Sequence, residues 1–169
     1  MNISLNLFLF IIFSRLSEYR MCSLEFKACF FTGMALLVLN ISHFFLAVSL
    51  GFPDFLETDD NNILGCQAIG LLMFLCLTFG ADNQADNDRP RNLGPRTGKP
   101  FLAAIFLAII QLGLHLALII FPIDDLSDNE YKIWIPSCIG MAITDFWTIF
   151  VAFKANKEIS RIVGYEEIA

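Results

Sequence analysis

His43, His115 and Asp145 stand inside runs that are otherwise apolar, and with Asn40 and Gln111 they form the chemically capable set of this chain. Asn40 and His43 are three residues apart and Gln111 and His115 four apart, so on helices each pair occupies one face. Carboxylate, imidazole and amide groups in such a setting have two uses. They can pass protons or hold a small solute along a track Asp145–Gln111–Asn40–His43/His115, or they can hydrogen-bond between helices and fix their register. Register-fixing is the stronger expectation, because short helices bring polar groups to similar depths by chance. Cys66, Gln67 and Cys138 come to the same depth as the histidines, and His43, His115, Cys66 and Cys138 are ligand types that suit zinc or copper. No metal or other cofactor is expected, however. The five cysteines follow no zinc or redox spacing, no C-x-x-C occurs, and two histidines do not make the two ligand pairs of a two-haem membrane cytochrome. Cys66 and Cys138 are placed to pair as a disulfide, although packing as free thiols is the simpler expectation. No nucleophile elbow, P-loop, His-Glu-x-x-His or Gly-rich nucleotide loop is present, so the reading is non-enzymatic.

The elements that must position these residues follow from composition. Of 169 residues 56% are hydrophobic, 18 of them Phe, an excess over the ~45–50% of soluble domains. Four stretches are long enough to cross ~30 Å of hydrocarbon. The expected layout is an interfacial segment 1–27, a first span 28–50, an outer loop 51–62, a second span 63–80, a middle loop 81–100, a third span 101–121, an outer loop 122–132, a fourth span 133–153 and a tail 154–169. Residues 1–13 are apolar but give only ~20 Å of helix, which leaves a short interfacial helix or initiation at Met21 as readings. Gly51, Pro53 and Pro122 stop helices, and Pro136 is expected in the first turns of the fourth span. The fold class is an all-α integral membrane protein, an antiparallel bundle of four transmembrane helices. Such bundles need small residues where helices touch; Gly33, Ser42, Gly65, Ala104, Ala108, Gly113, Ala117 and Gly140 are the candidates.

Charge orients the bundle. Arg15, Arg20 and Lys27 precede the first span, Arg89, Arg91, Arg96 and Lys99 fill the middle loop, and Lys154, Lys157 and Arg161 follow the fourth span. Only Lys132 lies on the other side. Cationic residues accumulate in cytoplasmic loops, so both termini and the middle loop are expected in the cytosol. The net charge of −6 comes from acids in the outer loops, among them Asp54, Glu57, Asp59, Asp60, Asp124, Asp125, Asp128 and Glu130, which read as solvated loop charge. No basic face suits nucleic acid, so no nucleic-acid partner is expected. Cys22 sits at the cytosolic edge, where thiols are palmitoylated in some proteins, and is a candidate for that modification.

The tail ends Gly164-Tyr165-Glu166-Glu167-Ile168-Ala169. Tyr-x-x-bulky-apolar in an extended cytosolic tail offers Tyr165 and Ile168 to two pockets, the form read by clathrin adaptors. Phosphorylated, Tyr-Glu-Glu-Ile also suits the Arg cluster of an SH2 domain. The stretches CSLEFKACFFTGMALLVLNI at 22–41 and DFWTIFVAFKANKEI at 145–159 resemble the first-span start and fourth-span exit of the LAPTM-like (lysosome-associated protein, transmembrane) small tetraspans and their insect relatives. That resemblance implies residence in late endosomes or lysosomes, with the plasma membrane as alternative, and a role as adaptor or regulator of membrane-protein sorting. Its partners would be the bilayer, other membrane proteins and clathrin adaptors. The Pro-Pro-x-Tyr motifs of those relatives are missing here, which puts ubiquitin-ligase recruitment in doubt. Three other readings stay open: a proton-coupled transporter or permeation subunit using Asp145, His43 and His115, a MARVEL-like tetraspan, and an accessory subunit of a larger complex.

Overall fold

A computed structural model describes residues 24–50, 61–85, 98–120 and 127–166, with backbone alone at 61–64, 83–85 and 163–166. The described residues form four α-helices: α1 Leu24–Ser49, α2 Asn61–Ala85, α3 Lys99–Ile120 and α4 Asp128–Glu166. All four are long and apolar enough to span a membrane. At 1.5 Å per residue even α3, with its 22 residues, reaches about 33 Å, enough for the hydrocarbon layer. The chain is therefore an integral, multi-pass membrane protein.

The helices outrun the expected spans. α1 starts before residue 28, α2 passes residue 80, and α4 begins five residues before Ile133 and continues well beyond Phe153. Apolarity marks only the stretch in lipid, whereas backbone hydrogen bonding continues into water wherever residues permit. Lys154, Lys157 and Glu158 permit it, and Ala155 and Ile159 remain buried, so α4 still packs on the bundle at that depth. Pro136 consequently lies inside α4 rather than in its first turns, and it forgoes the hydrogen bond its nitrogen would have given to the Lys132 carbonyl. The helix tolerates this because Pro136 is on the outer surface, clear of neighbouring helices.

Local signals set the ends. The Gly98 carbonyl accepts from the Phe101 and Leu102 amides at 3.0 and 3.1 Å, opening α3 with Pro100 in its first turn, where no N–H is needed. At α4, the Ser127 hydroxyl and amide both donate to the Glu130 Oε2, at 2.5 and 2.8 Å, which is half of a capping box. These bonds, the hydroxyl's foremost, hold the Glu130 carboxyl below its ordinary range. A carboxylate depressed in the folded state contributes at neutral pH and loses its contribution as pH falls through the depressed value. Acidification through the depressed value should therefore fray the first turn of α4, read as a loss of amide protection, relative to the intrinsic exchange rate at each pH, at 127 and 131 while the helix centre stays protected. Protection at those amides that stays unchanged on acidification would contradict this.

The main contacts run α1–α2, α2–α3, α3–α4 and α4–α1, which closes a ring of four. Each helix turns one seam inward at alternating three- and four-residue steps. On α3 it is Phe101, Ala104, Ala108, Gln111, His115 and Leu118; on α4 it includes Trp134, Cys138, Met141, Asp145, Thr148 and Ala152. That 3.5-residue period is the seam of left-handed bundle packing. The outer surface carries the large apolar groups: Phe45, Phe79, Phe106, Ile143, Phe146 and Phe153 are all exposed. Polar groups inward and bulky apolar groups outward is what lipid as solvent demands.

Close approach depends on particular glycines. A Cβ on Gly33 would stand 2.9 Å from Thr78 Cγ2, one on Gly80 3.0 Å from the Phe101 ring, and one on Gly70 would overlap the Asn40 side chain. Of the expected contact residues, Gly33, Ala104 and Ala108 are buried in the seams. Ser42, Gly113 and Gly140 are exposed instead, Ala117 is half-buried, and Gly65 has open space where a Cβ would stand. Small size permits contact but does not aim a residue inward; position in the 3.5-residue seam does.

Candidate functional site

Two apolar clusters fill the bundle, and a polar layer separates them. The larger draws Phe26, Leu36, Met73, Leu77, Ala104, Ala152 and others from all four helices. It lies toward the end that carries Lys27, Lys99, Lys154, Lys157 and Arg161, and the Phe26 and Phe101 rings stack across it at 6.0 Å. The smaller consists of Ala47, Cys66, Leu118, Trp134 and Cys138 near the opposite end, where Lys132 lies. Asn40, His43, Gln111, His115 and Asp145 are all buried between them.

Helix geometry explains which of these meet. Side chains lean toward the N-terminus of their own helix, so on antiparallel neighbours they lean in opposite directions. His115 on α3 leans toward the basic end and Asp145 on α4 away from it. Their level difference closes, and His115 Nδ1 lies 2.7 Å from Asp145 Oδ2, both side chains fully buried. A lone carboxylate at such depth costs ~2.5–3.5 kcal/mol on insertion scales, and the imidazole gives this one a buried partner. The expected order of the track, with Gln111 next to Asp145, is thus replaced by direct pairing of Asp145 with His115. Rise along the helix alone sets backbone depth; it omits the opposite lean of the side chains.

His43 is held on every side. Gln67 Nε2 on α2 donates to its Nδ1 at 3.1 Å, leaving the ring proton on Nε2, which faces the Cys138 Sγ at 3.9 Å. The ring stacks on Trp134 with centroids 4.7 Å apart and 21° between planes, and meets His115 edge-on at 5.8 Å. Residues of all four helices therefore converge on one imidazole. Gln67 was expected at the depth of the histidines, whereas Trp134 was not singled out; its signal was its place four residues before Cys138, in the same seam.

Other expected members stay apart. Asn40 Nδ2 turns back to the Leu36 carbonyl of its own helix at 2.8 Å. Among the described residues Asn40 Oδ1, both amide atoms of Gln111, His115 Nε2 and Asp145 Oδ1 have no hydrogen-bond partner. Cys66 and Cys138 are free thiols and pack beside the smaller apolar cluster. Among the described residues no group of three or more His, Cys, Asp or Glu side chains is arranged to hold a metal ion. Toward the basic end, polar side chains serve local ends: Thr78 and Thr148 hydroxyls donate to carbonyls of their own helices, Phe74 at 2.7 Å and Thr144 at 2.9 Å, and Trp147 Nε1 donates to Thr32 Oγ1 at 3.2 Å. The polar layer thus has no polar continuation through the larger apolar cluster among the described residues.

Tyr165 belongs to the last turn of α4, its backbone helical, while Ile168 and Cys22 lie outside the described residues, as do residues 1–23 and the stretches 51–60, 86–97 and 121–126. The chain matches no protein-family model, no curated protein and no solved structure.

Proposed function

We propose that this tetraspan is a non-enzymatic adaptor or regulator of membrane-protein sorting in endosomes or lysosomes. One observation carries the preference for a regulator over a conduit. The buried polar layer abuts an apolar plug built from Phe26, Leu36, Met73, Leu77, Ala104 and Ala152, where the buried hydroxyls of the described residues, Thr32 and Thr148, are engaged locally. A protein of this build acts through what its surfaces meet. The basic residues at one end, Lys154, Lys157 and Arg161 among them, favour a cytosolic placement of that end and of the tail. There Tyr165 and Ile168 supply the trafficking handle, and presenting them in extended form requires the last turn of α4 to unwind. Tail turns of a helix open at little cost, since they lack partners on one side.

Replacing Tyr165 with Ala should move a tagged chain from endosomal structures to the cell surface, a redistribution scored by surface biotinylation. Unaltered internal residence would refute the sorting signal. A second reading, a proton-coupled permeation subunit, draws on the convergence of His43, His115 and Asp145 in one buried layer. Flux of protons or solute from the purified protein in liposomes, abolished by Asp145→Asn, would favour it over the regulator.

A further inference from the structure

We propose that His43 is a proton-binding site, loaded from the end of the bundle opposite the basic residues and closed toward the basic end. The ligand is the proton itself, and the reading is of a sensor, not a channel.

The surroundings of the ring fit both protonation states. In the neutral state Gln67 donates to Nδ1 and the Nε2 proton faces the Cys138 sulfur. On protonation Nδ1 becomes a donor, and a half-turn of the Gln67 carboxamide presents its oxygen in place of its nitrogen, a change that displaces no backbone. The charge that results lies over the face of Trp134 at 4.7 Å, the geometry in which an aromatic quadrupole attracts a cation. The second imidazole, 5.8 Å away, is already matched to a carboxylate by the 2.7 Å His115–Asp145 contact, so the layer accepts one further proton without assembling two uncompensated cations. Of the titratable groups among the described residues, His115 on α3 and Cys138 on α4 meet the His43 ring, and Cys66 on α2 and Asp145 on α4 lie in the same buried region. Of these only Asp145 is a carboxylic acid, and it is engaged by His115.

Depth gives the direction of loading. His43 is six residues from the Ser49 end of α1, about 9 Å, and nineteen from the Leu24 end, about 28 Å. On the short side the small cluster of Ala47, Cys66, Leu118, Trp134 and Cys138 intervenes among the described residues. On the long side stands the apolar plug described above. Toward the basic end the next titratable groups are the paired His115 and Asp145, and beyond them, among the described residues, stands that plug. Because Trp134, Cys138 and Asp145 all belong to α4, whose last turn holds Tyr165, the charge state of the layer acts on the same rigid element that carries the tail.

The inference goes beyond the sorting reading and uses it only for the source of acid. Chance has provided clean probes, since the chain has two tryptophans and two histidines. The full chain carrying Trp147→Phe, in liposomes, reports from Trp134 alone. On acidification its emission should fall in a single one-proton step, about two pH units wide, as the stacked imidazolium quenches the indole. The step should vanish with His43→Gln and should follow acid only on the face opposite Lys154. Nitrogen NMR of ring-labelled wild-type protein gives the same answer without a substitution at His43: one ring passes from a single Nε2–H form to the doubly protonated form. Emission independent of pH, a step that survives His43→Gln, a ring that stays neutral throughout, or a response to acid at the basic face would each overturn the proposal. None of these results would touch the relocation expected of Tyr165→Ala, so the two ideas fail separately.

Discussion

Asp145→Ala should destabilise the bundle by about 3 kcal/mol, the largest loss expected of any single replacement in the polar layer. The carboxylate is fully buried and its only described partner is His115 Nδ1 at 2.7 Å. Without it the imidazole is left with both nitrogens unpartnered in a low-dielectric interior, either charged at high cost or neutral and unsatisfied. Breaking a buried pair typically costs 3–5 kcal/mol; the low end applies here because an unfolded chain still in lipid finds substitute partners. Two companion replacements isolate the mechanism. Asp145→Asn keeps an oxygen to accept from Nδ1 and should cost only about 1 kcal/mol. Replacing Asp145 and His115 together by Leu should recover most of the loss, since apolar groups of similar volume satisfy this interior as well as an ion pair does. Unfolding in mixed micelles with increasing denaturing detergent, applied to the wild type, Asp145→Leu, His115→Leu and the double Leu replacement, supplies all four corners of the cycle. Strict additivity of the two single replacements would mean that the pair does not interact, contrary to its geometry.

Gly70→Ala comes second, with an expected cost of about 2 kcal/mol from overpacking. A Cβ there overlaps the Asn40 carboxamide, which is tethered by its 2.8 Å bond to the Leu36 carbonyl and cannot swing aside without breaking it. The alternative is a wider separation of α1 and α2, which would loosen the Gly33–Thr78 contact about two turns away on each helix. Gly113→Ala and Gly140→Ala add a methyl to open space on the lipid face and should be neutral or slightly stabilising, because alanine loses less backbone entropy in a helix. Combining Gly70→Ala with Asn40→Ala removes the obstruction, so the double replacement should cost less than the sum of its parts. Equal melting behaviour of the Gly70 and Gly113 variants would show that the tight α1–α2 approach carries no weight.

Most of the architecture was legible in the order of residues. Leu, Ile, Val and Phe in runs of bilayer length identify four spans, and those spans are the four helices. The candidate residues Asn40, His43, Gln111, His115 and Asp145 were recognisable as an inward set, because ionisable and amide groups have nowhere favourable to point in lipid except at one another. Helix ends were less legible. Nothing in Phe153-Lys154-Ala155 stops a helix, yet a reading based on apolarity ends there, and α4 runs on to Glu166. The small residues were harder still. Gly33 and Gly113 look alike in sequence, but Gly33 falls in the seam of α1 and Gly113 lies two residues from the seam position Gln111.

The chain by itself determined that it has four membrane-spanning stretches and that the polar residues within them turn inward, since both follow from the transfer cost of each residue against a slab of fixed thickness. Only the tertiary structure decided who pairs with whom. Asp145 took His115 and passed over Gln111, His43 took Gln67 and the face of Trp134, and Gly70 admitted Asn40. Those choices depend on side chains of antiparallel helices leaning in opposite directions and on seam registers fixed by contact. Neither quantity is carried by any one segment.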